Sequence, residues 1–183
     1  MKMNKMALAV MLVCSSISIA KAAPGGEVKF EGSITDTPCS IDPDSEKQTV
    51  KLGAVSKPGL VKGINGPERK FSIKLLNCTL DASGVPNKVS VTFTGPQGGM
   101  PGAGLSDGLL GITGVAKGAS IKLIDYSNAV VTLGQKTSLQ TLTNGNGNVL
   151  EFTAYLTPNP GVTEAQIVEG AFTSTANFIM NYE

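Results

Sequence analysis

The sequence predicts an all-β chain, an antiparallel sandwich or barrel, and three observations carry that prediction. Apolar side chains recur with period two nearly everywhere. Glycine, proline and asparagine separate the alternating runs. No stretch of about 11 residues holds the 3.6-residue period of an amphipathic helix.

The chain opens with Lys2 and Lys5, followed by an apolar run over residues 7–20 and the small-x-small motif Ala20-Lys21-Ala22. That pattern predicts a signal peptide over residues 1–22, cut after Ala22, with a cut after Ala20 as the second choice. A membrane anchor is the competing reading, but about 14 apolar residues fall short of the roughly 20 needed to span a bilayer. Cys14 could suggest a lipoprotein, yet Val13 is bulkier than the small residue such processing prefers. The predicted mature chain is exported, and losing Lys2, Lys5 and Lys21 takes its formal charge from +1 to −2. No basic stripe points to nucleic acid.

Two cysteines remain after the cut, Cys39 and Cys78. In an oxidising compartment an isolated pair is most simply a disulfide. Closing a loop of about 40 residues is worth roughly 4 kcal/mol in the chain-entropy model. A reactive thiol pair would favour a spacing such as Cys-x-x-Cys. Asn77-Cys78-Thr79 matches a glycosylation sequon and is read as chance.

Alternating runs follow in order: Val28-Lys29-Phe30, Thr49-Val50-Lys51-Leu52, Phe71-Ser72-Ile73-Lys74-Leu75, Val89-Ser90-Val91-Thr92-Phe93, Ile121-Lys122-Leu123, and Leu150 through Leu156. Turn chemistry sits between them in Lys57-Pro58-Gly59, Asn65-Gly66-Pro67, Gly95-Pro96 and Asn144-Gly145-Asn146-Gly147-Asn148. Residues 95–118 hold nine glycines and resist the pattern. They are read as a long loop with one short strand at 111–114, rather than as a linker between domains.

The last fourteen residues carry the most functional information. Phe172, Ala176, Phe178, Met180 and Tyr182 share one face of the predicted strand; Thr173, Thr175, Asn177 and Asn181 share the other. Ser174 interrupts the first face and Ile179 the second. Chain ends usually fray, so an apolar-faced strand at a terminus needs a partner.

Catalytic chemistry is mostly excluded. The chain has no histidine, which removes Ser-His-Asp triads, histidine metal ligands and imidazole acid–base work. Asp42, Asp44 and Glu46 lack the spaced oxygen ligands of a calcium loop and read as a solvated turn. Nothing beyond adjacency places Ser56 or Ser72 beside a desolvated lysine. The absence of tryptophan counts against a carbohydrate platform. No enzyme, cofactor or metal site is predicted.

At the mature N-terminus Gly26, Val28, Phe30 and Gly32 lie on one face, with Glu27, Lys29 and Glu31 on the other. This is either the first strand of the sandwich or a strand made for another molecule, and the residues alone do not decide. A resemblance bears on the choice. Gly25-Gly26-Glu27-Val28-Lys29-Phe30-Glu31-Gly32, Pro38-Cys39-Ser40-Ile41, Thr49 through Val55, Phe71 through Cys78, Val89 through Gly95, and Gly170 with the penultimate Tyr182 occur in order. Together they resemble a pilin of the chaperone–usher class, similar to the rod subunits of type 1 and P pili.

The resemblance implies an incomplete immunoglobulin-like β-sandwich over residues 35–183 that lacks its final strand. It also implies a donor-strand extension over residues 23–34, in which Gly26, Val28, Phe30 and Gly32 face a neighbour's groove. Gly170, Phe172, Ala176, Phe178, Met180 and Tyr182 would form the groove edge offered first to a periplasmic chaperone. The implied function is a structural subunit of a pilus that supports surface adhesion. Its partners would be other pilin subunits, a periplasmic chaperone and an outer-membrane usher, and its destination the cell surface. Gly66 through Phe71 and Tyr182-Glu183 are also similar to the base-terminating subunit of P pili, so an adaptor or terminator role stays open. A self-contained secreted sandwich that binds a ligand is the remaining alternative.

Overall fold

A computed structural model describes residues 25–80, 85–99 and 108–183; the predicted signal peptide lies outside the described residues. The chain divides into two units, Met1–Thr35 and Asp36–Glu183.

In the first unit, residues 25–35 form no regular secondary structure. Val28 is 73% exposed, Phe30 89% and Ile34 103%. The alternation around Val28 and Phe30 therefore creates no strand within the chain itself.

The second unit holds the predicted strands. Its larger sheet runs in the order β1 (Ser40–Ile41), β2 (Arg69–Leu76), β9 (Asn148–Pro158), β6 (Ala119–Asp125) and β4 (Leu110–Gly111), with β7 (Val130–Val131) also pairing β6. A second sheet contains β11 (Asn177–Tyr182), β3 (Lys88–Thr94) and β8 (Gln140–Thr141), and a short ladder joins β10 (Phe172–Thr173) to β5 (Thr113–Gly114). All pairings are antiparallel.

Burial follows the alternation. In β9, Leu150, Phe152, Ala154 and Leu156 are buried while Val149 and Glu151 face out. The two main sheets pack face to face through aromatic contacts. Phe93 of β3 meets Phe152 of β9 edge-on at 5.1 Å and Phe71 of β2 at 6.4 Å. Ile73, Leu75, Val89 and Val91 are almost completely buried beside them. Cys39 and Cys78 form the expected disulfide, tying the start of the unit to the residues just after β2.

Connections follow local chemistry. Two one-turn helices, α1 (Pro43–Glu46) and α2 (Lys57–Val61), each carry proline in the first turn. Asp42 and Ser56 are their N-caps, accepting from the amides of Asp44 (2.9 Å) and Gly59 (3.4 Å). The acidic cluster thus includes a helix cap. At the end of β6, buried Asp125 gathers the following turn. Its Oδ1 accepts from the Ser127 amide (2.9 Å), the Ser127 hydroxyl (2.8 Å) and the Ala129 amide (3.0 Å). Its Oδ2 accepts from the Ser138 amide at 3.0 Å. Burial alone would raise this carboxyl, but the hydrogen bonds outweigh it and hold Asp125 below its ordinary value.

The structure modifies the sequence reading at three places. The glycine-rich stretch contributes two short strands near 111–114, β4 and β5, on different ladders. The terminal strand is broken into β10 and β11, which join different ladders, and between them the Ser174 hydroxyl donates to the Gly111 carbonyl at 2.6 Å. Residues 49–52 keep alternating burial, with Leu52 buried and Lys51 exposed, yet form no ladder. Pairing needs a neighbour as well as a pattern, and among the described residues none lies alongside.

Candidate functional site

The C-terminal strand is built from β-forming residues at the sites where burial is available. Phe178, Ile179 and Tyr182 favour extended backbone, and the strand runs antiparallel along β3 from Asn177 opposite Thr94 to Tyr182 opposite Val89. Glu183 extends the pairing. Its amide donates to the Lys88 carbonyl at 2.8 Å, and its carbonyl accepts from the Lys88 amide at 2.9 Å. The Glu183 side chain meets the Lys136 ammonium at 2.7 Å. Asn181 fastens the outer face, its Nδ2 donating to the Thr92 hydroxyl at 2.9 Å.

Only one edge of β11 is used. Among the described residues β3 is its sole ladder partner, so the opposite edge presents unpaired backbone groups. The predicted inward face is real: Phe172, Ala176, Phe178, Met180 and Tyr182 all pack against the core. None of them is fully buried, whereas Leu150 and Phe152 across the sandwich are. Thr173, Thr175 and Asn177 are exposed on the other face, as predicted. Burial raises the phenol of Tyr182 above its ordinary value, so it stays neutral at physiological pH.

The half-burial has a geometric cause. A groove of about 1000 Å³ runs between residues 170–178 on one side and residues 46–53 on the other. Its floor includes Phe71, Ile73, Phe93, Leu110, Ile121 and Leu123, drawn from both sheets. Both walls are segments with unsatisfied pairing: β11 has a free edge, and residues 49–52 make no backbone hydrogen bond among the described residues. An apolar trough flanked by free backbone groups is what a sandwich presents when a strand is absent from its interior. Of the predicted edge residues, Gly170, Phe172, Ala176 and Phe178 line this groove, whereas Met180 and Tyr182 pack against the core beyond it. The sequence reading missed Val50 and Leu52 as the facing wall, although their alternation was visible, and the floor residues Leu110 and Ile121.

Gly170 sits where the C-terminal segment enters the groove, with φ +151°, a region that side chains rarely adopt. A Cβ there would lie 2.7 Å from Val115 Cβ, so only glycine fits the approach. Gly26, Val28, Phe30 and Gly32 lie in the other unit, all exposed. Among the described residues no cluster of histidine, cysteine, aspartate or glutamate could hold a metal ion, and no helix is long and apolar enough to cross a membrane.

These features define a class: an immunoglobulin-like β-sandwich left open along one edge of its C-terminal strand. The family of fimbrial proteins matches residues 28–183. The chain is 41% identical to the Fimbria A protein of Serratia marcescens and 39% identical to the major MR/P fimbria protein of Proteus mirabilis, covering 100% of both partners in each case. It superimposes on a subunit from the structure of a chaperone–usher pilus with a TM-score of 0.74 and 31% identity, over 87% of this chain and 96% of that one. The chain belongs to the fimbrial protein family and is a structural subunit of a chaperone–usher pilus.

Proposed function

We propose that this chain is the repeating shaft subunit of its pilus and that it polymerises by donor-strand exchange. In this reading residues 1–22 direct export and are removed, residues 23–34 form the donor strand, and residues 35–183 form the acceptor domain. Val28 and Phe30 of one subunit enter the groove of the next, with Gly26 and Gly32 allowing close backbone approach. The observation that carries the reading is the groove itself, an apolar floor between β11, paired on one edge only, and residues 49–52, which join no ladder. Its complement is an exposed alternating segment with Phe30 and Val28 on one face. The similarity to major fimbrial proteins supports the shaft role.

Before assembly the same trough needs another cover. A periplasmic chaperone lends an extended strand to the free edge of β11, contacting the face formed by Phe172, Ala176, Phe178, Met180 and Tyr182. The Glu183 carboxylate meets basic residues of that chaperone. An outer-membrane usher then exchanges the chaperone strand for a neighbour's residues 23–34 and passes the fibre to the cell surface, where it supports adhesion. Strand addition to an open sheet edge is a general recognition mode, and chaperone–pilin complementation is one of its standard examples. The subunit has no catalytic role in this scheme.

A peptide-exchange experiment tests the proposal. Subunit recovered from the periplasm in complex with its chaperone is mixed with a synthetic peptide of residues 23–34. The peptide is expected to release the chaperone and remain bound to the subunit. Recovery of the subunit as a stable folded monomer, without chaperone or neighbour, would overturn the reading.

A further inference from the structure

The asparagine-rich turn before β9 has a chemical property separate from assembly. The sequence contains three Asn-Gly pairs: Asn65-Gly66, Asn144-Gly145 and Asn146-Gly147. In such a pair the glycine amide nitrogen can attack the preceding side-chain amide, since glycine offers no side chain to obstruct the approach. From the state of each glycine nitrogen we infer that Asn146 is a site of spontaneous deamidation, and that Asn65 and Asn144 are protected by the fold.

At two pairs the nucleophile is occupied. The Gly66 amide donates to the Leu156 carbonyl at 2.8 Å, and Gly66 is buried. The Gly145 amide donates to the Cys78 carbonyl at 2.9 Å, within a bridge that also returns the Cys78 amide to the Gly145 carbonyl. Reaction at either would first break a structural hydrogen bond. The Gly147 amide makes no hydrogen bond among the described residues, and Asn146 and Gly147 are both exposed. Nothing lies within 4 Å of the position a Gly147 Cβ would occupy.

The electrophile holds a donor at Asn146 as it does at Asn144, whose Oδ1 accepts from the Leu80 amide at 2.7 Å. The glycine nitrogen is therefore what separates the two sites. Asn146 Oδ1 accepts from the Asn77 amide at 2.6 Å. That donor polarises the side-chain carbonyl and faces the oxygen on which negative charge grows during attack, the role of an oxyanion-hole donor. The step balances simply. The Gly147 nitrogen loses its proton to hydroxide, forming water, and bonds to Asn146 Cγ. Nδ2 takes a proton from water as the Cγ–Nδ2 bond breaks, so ammonia leaves, hydroxide is regenerated and a succinimide remains. Water then opens the ring. Cleavage at Cγ gives aspartate, and cleavage at the main-chain carbonyl gives isoaspartate. Aspartate places a new carboxylate beside the amide of Asn77, next to Cys78, whereas isoaspartate reroutes the main chain through Cγ.

Assembled fibres incubated at mildly alkaline pH and followed by peptide mass spectrometry test the inference. Asn146 is expected to convert at least about tenfold faster than Asn65 or Asn144, a ratio worth about 1.4 kcal/mol of barrier. In denaturant the three rates should converge. Gly147→Ala, at a position with open space and no positive φ, should assemble normally and slow the conversion. Three equal rates in intact fibres would overturn the inference, as would a difference that persists in denaturant or an unchanged rate in Gly147→Ala.

Discussion

Phe30→Asp is the sharpest perturbation of the proposed joint. Phe30 is 89% exposed in the subunit, so almost its whole side chain is available for burial on docking. Fully burying a phenylalanine is worth about 1.5–3 kcal/mol. Aspartate forfeits that gain and carries a charge toward a floor of Phe71, Ile73, Phe93 and Leu110, adding at least about 2 kcal/mol of desolvation cost. Together the loss is about 3–5 kcal/mol, or roughly 10²–10⁴ in the equilibrium for strand insertion. The assay is fibre formation, read by electron microscopy and by oligomers that survive detergent without heating. Chaperone-bound subunit should accumulate normally, because the proposed chaperone contacts lie on the C-terminal strand and not on residues 23–34. The control exploits the period of two: Lys29→Ala, on the opposite face, should assemble like the parent. Normal fibres from Phe30→Asp, or an equal defect from Lys29→Ala, would refute the facial assignment.

Further outcomes follow from other parts of the structure. Deleting residues 181–183 removes the Tyr182–Val89 pairing, the Lys88–Glu183 bonds and the Lys136 contact, so the truncated chain should be largely lost from periplasmic extracts by immunoblot. Gly170→Ala forces a side chain onto Val115 at a backbone angle it disfavours. It should cost about 1–3 kcal/mol, seen as a lower denaturation midpoint of the chaperone complex. Cys39→Ser should lower the same midpoint by an amount corresponding to about 4 kcal/mol for the loop of 39 residues' separation. Asp125 makes stability acid-sensitive. Its folded carboxyl is held below the ordinary value, so its contribution is complete above about pH 4 and is lost as pH falls through the lower folded value. Asp125→Ala should flatten that acid limb. It should also cost about 2–4 kcal/mol by stranding the Ser127, Ala129 and Ser138 donors, measured as denaturation midpoints across pH.

The strands that alternate cleanly, around residues 71–75, 121–123 and 150–156, were legible because one face of each is more deeply buried than the other. The inward set of the C-terminal strand was legible for the same reason. Residues 89–93 were legible from sequence alternation, although Ser90 on the second face is also buried. What escaped the sequence was long-range. The break at Ser174 separates two strands with different ladder partners, and its hydroxyl binds Gly111, 63 residues away. The strands β4 and β5 are two residues each and owe their existence to partners rather than to pattern. Asp125-Tyr126-Ser127-Asn128 carries a turn signature, but nothing local shows that Ser138 will close the same carboxylate. Thr49 through Leu52 shows the converse case, a strand pattern with no ladder.

Lys88 and Glu183 extend the pairing of β11 with β3, while the alternating Val28–Phe30 segment stays uncovered. In the proposed assembly, plug and socket are different surfaces of one molecule, and such a pairing has direction. A row of these subunits need not close on itself. Under that proposal its leading socket and trailing plug are chemically unlike, so growth and capping at its two tips are separate problems.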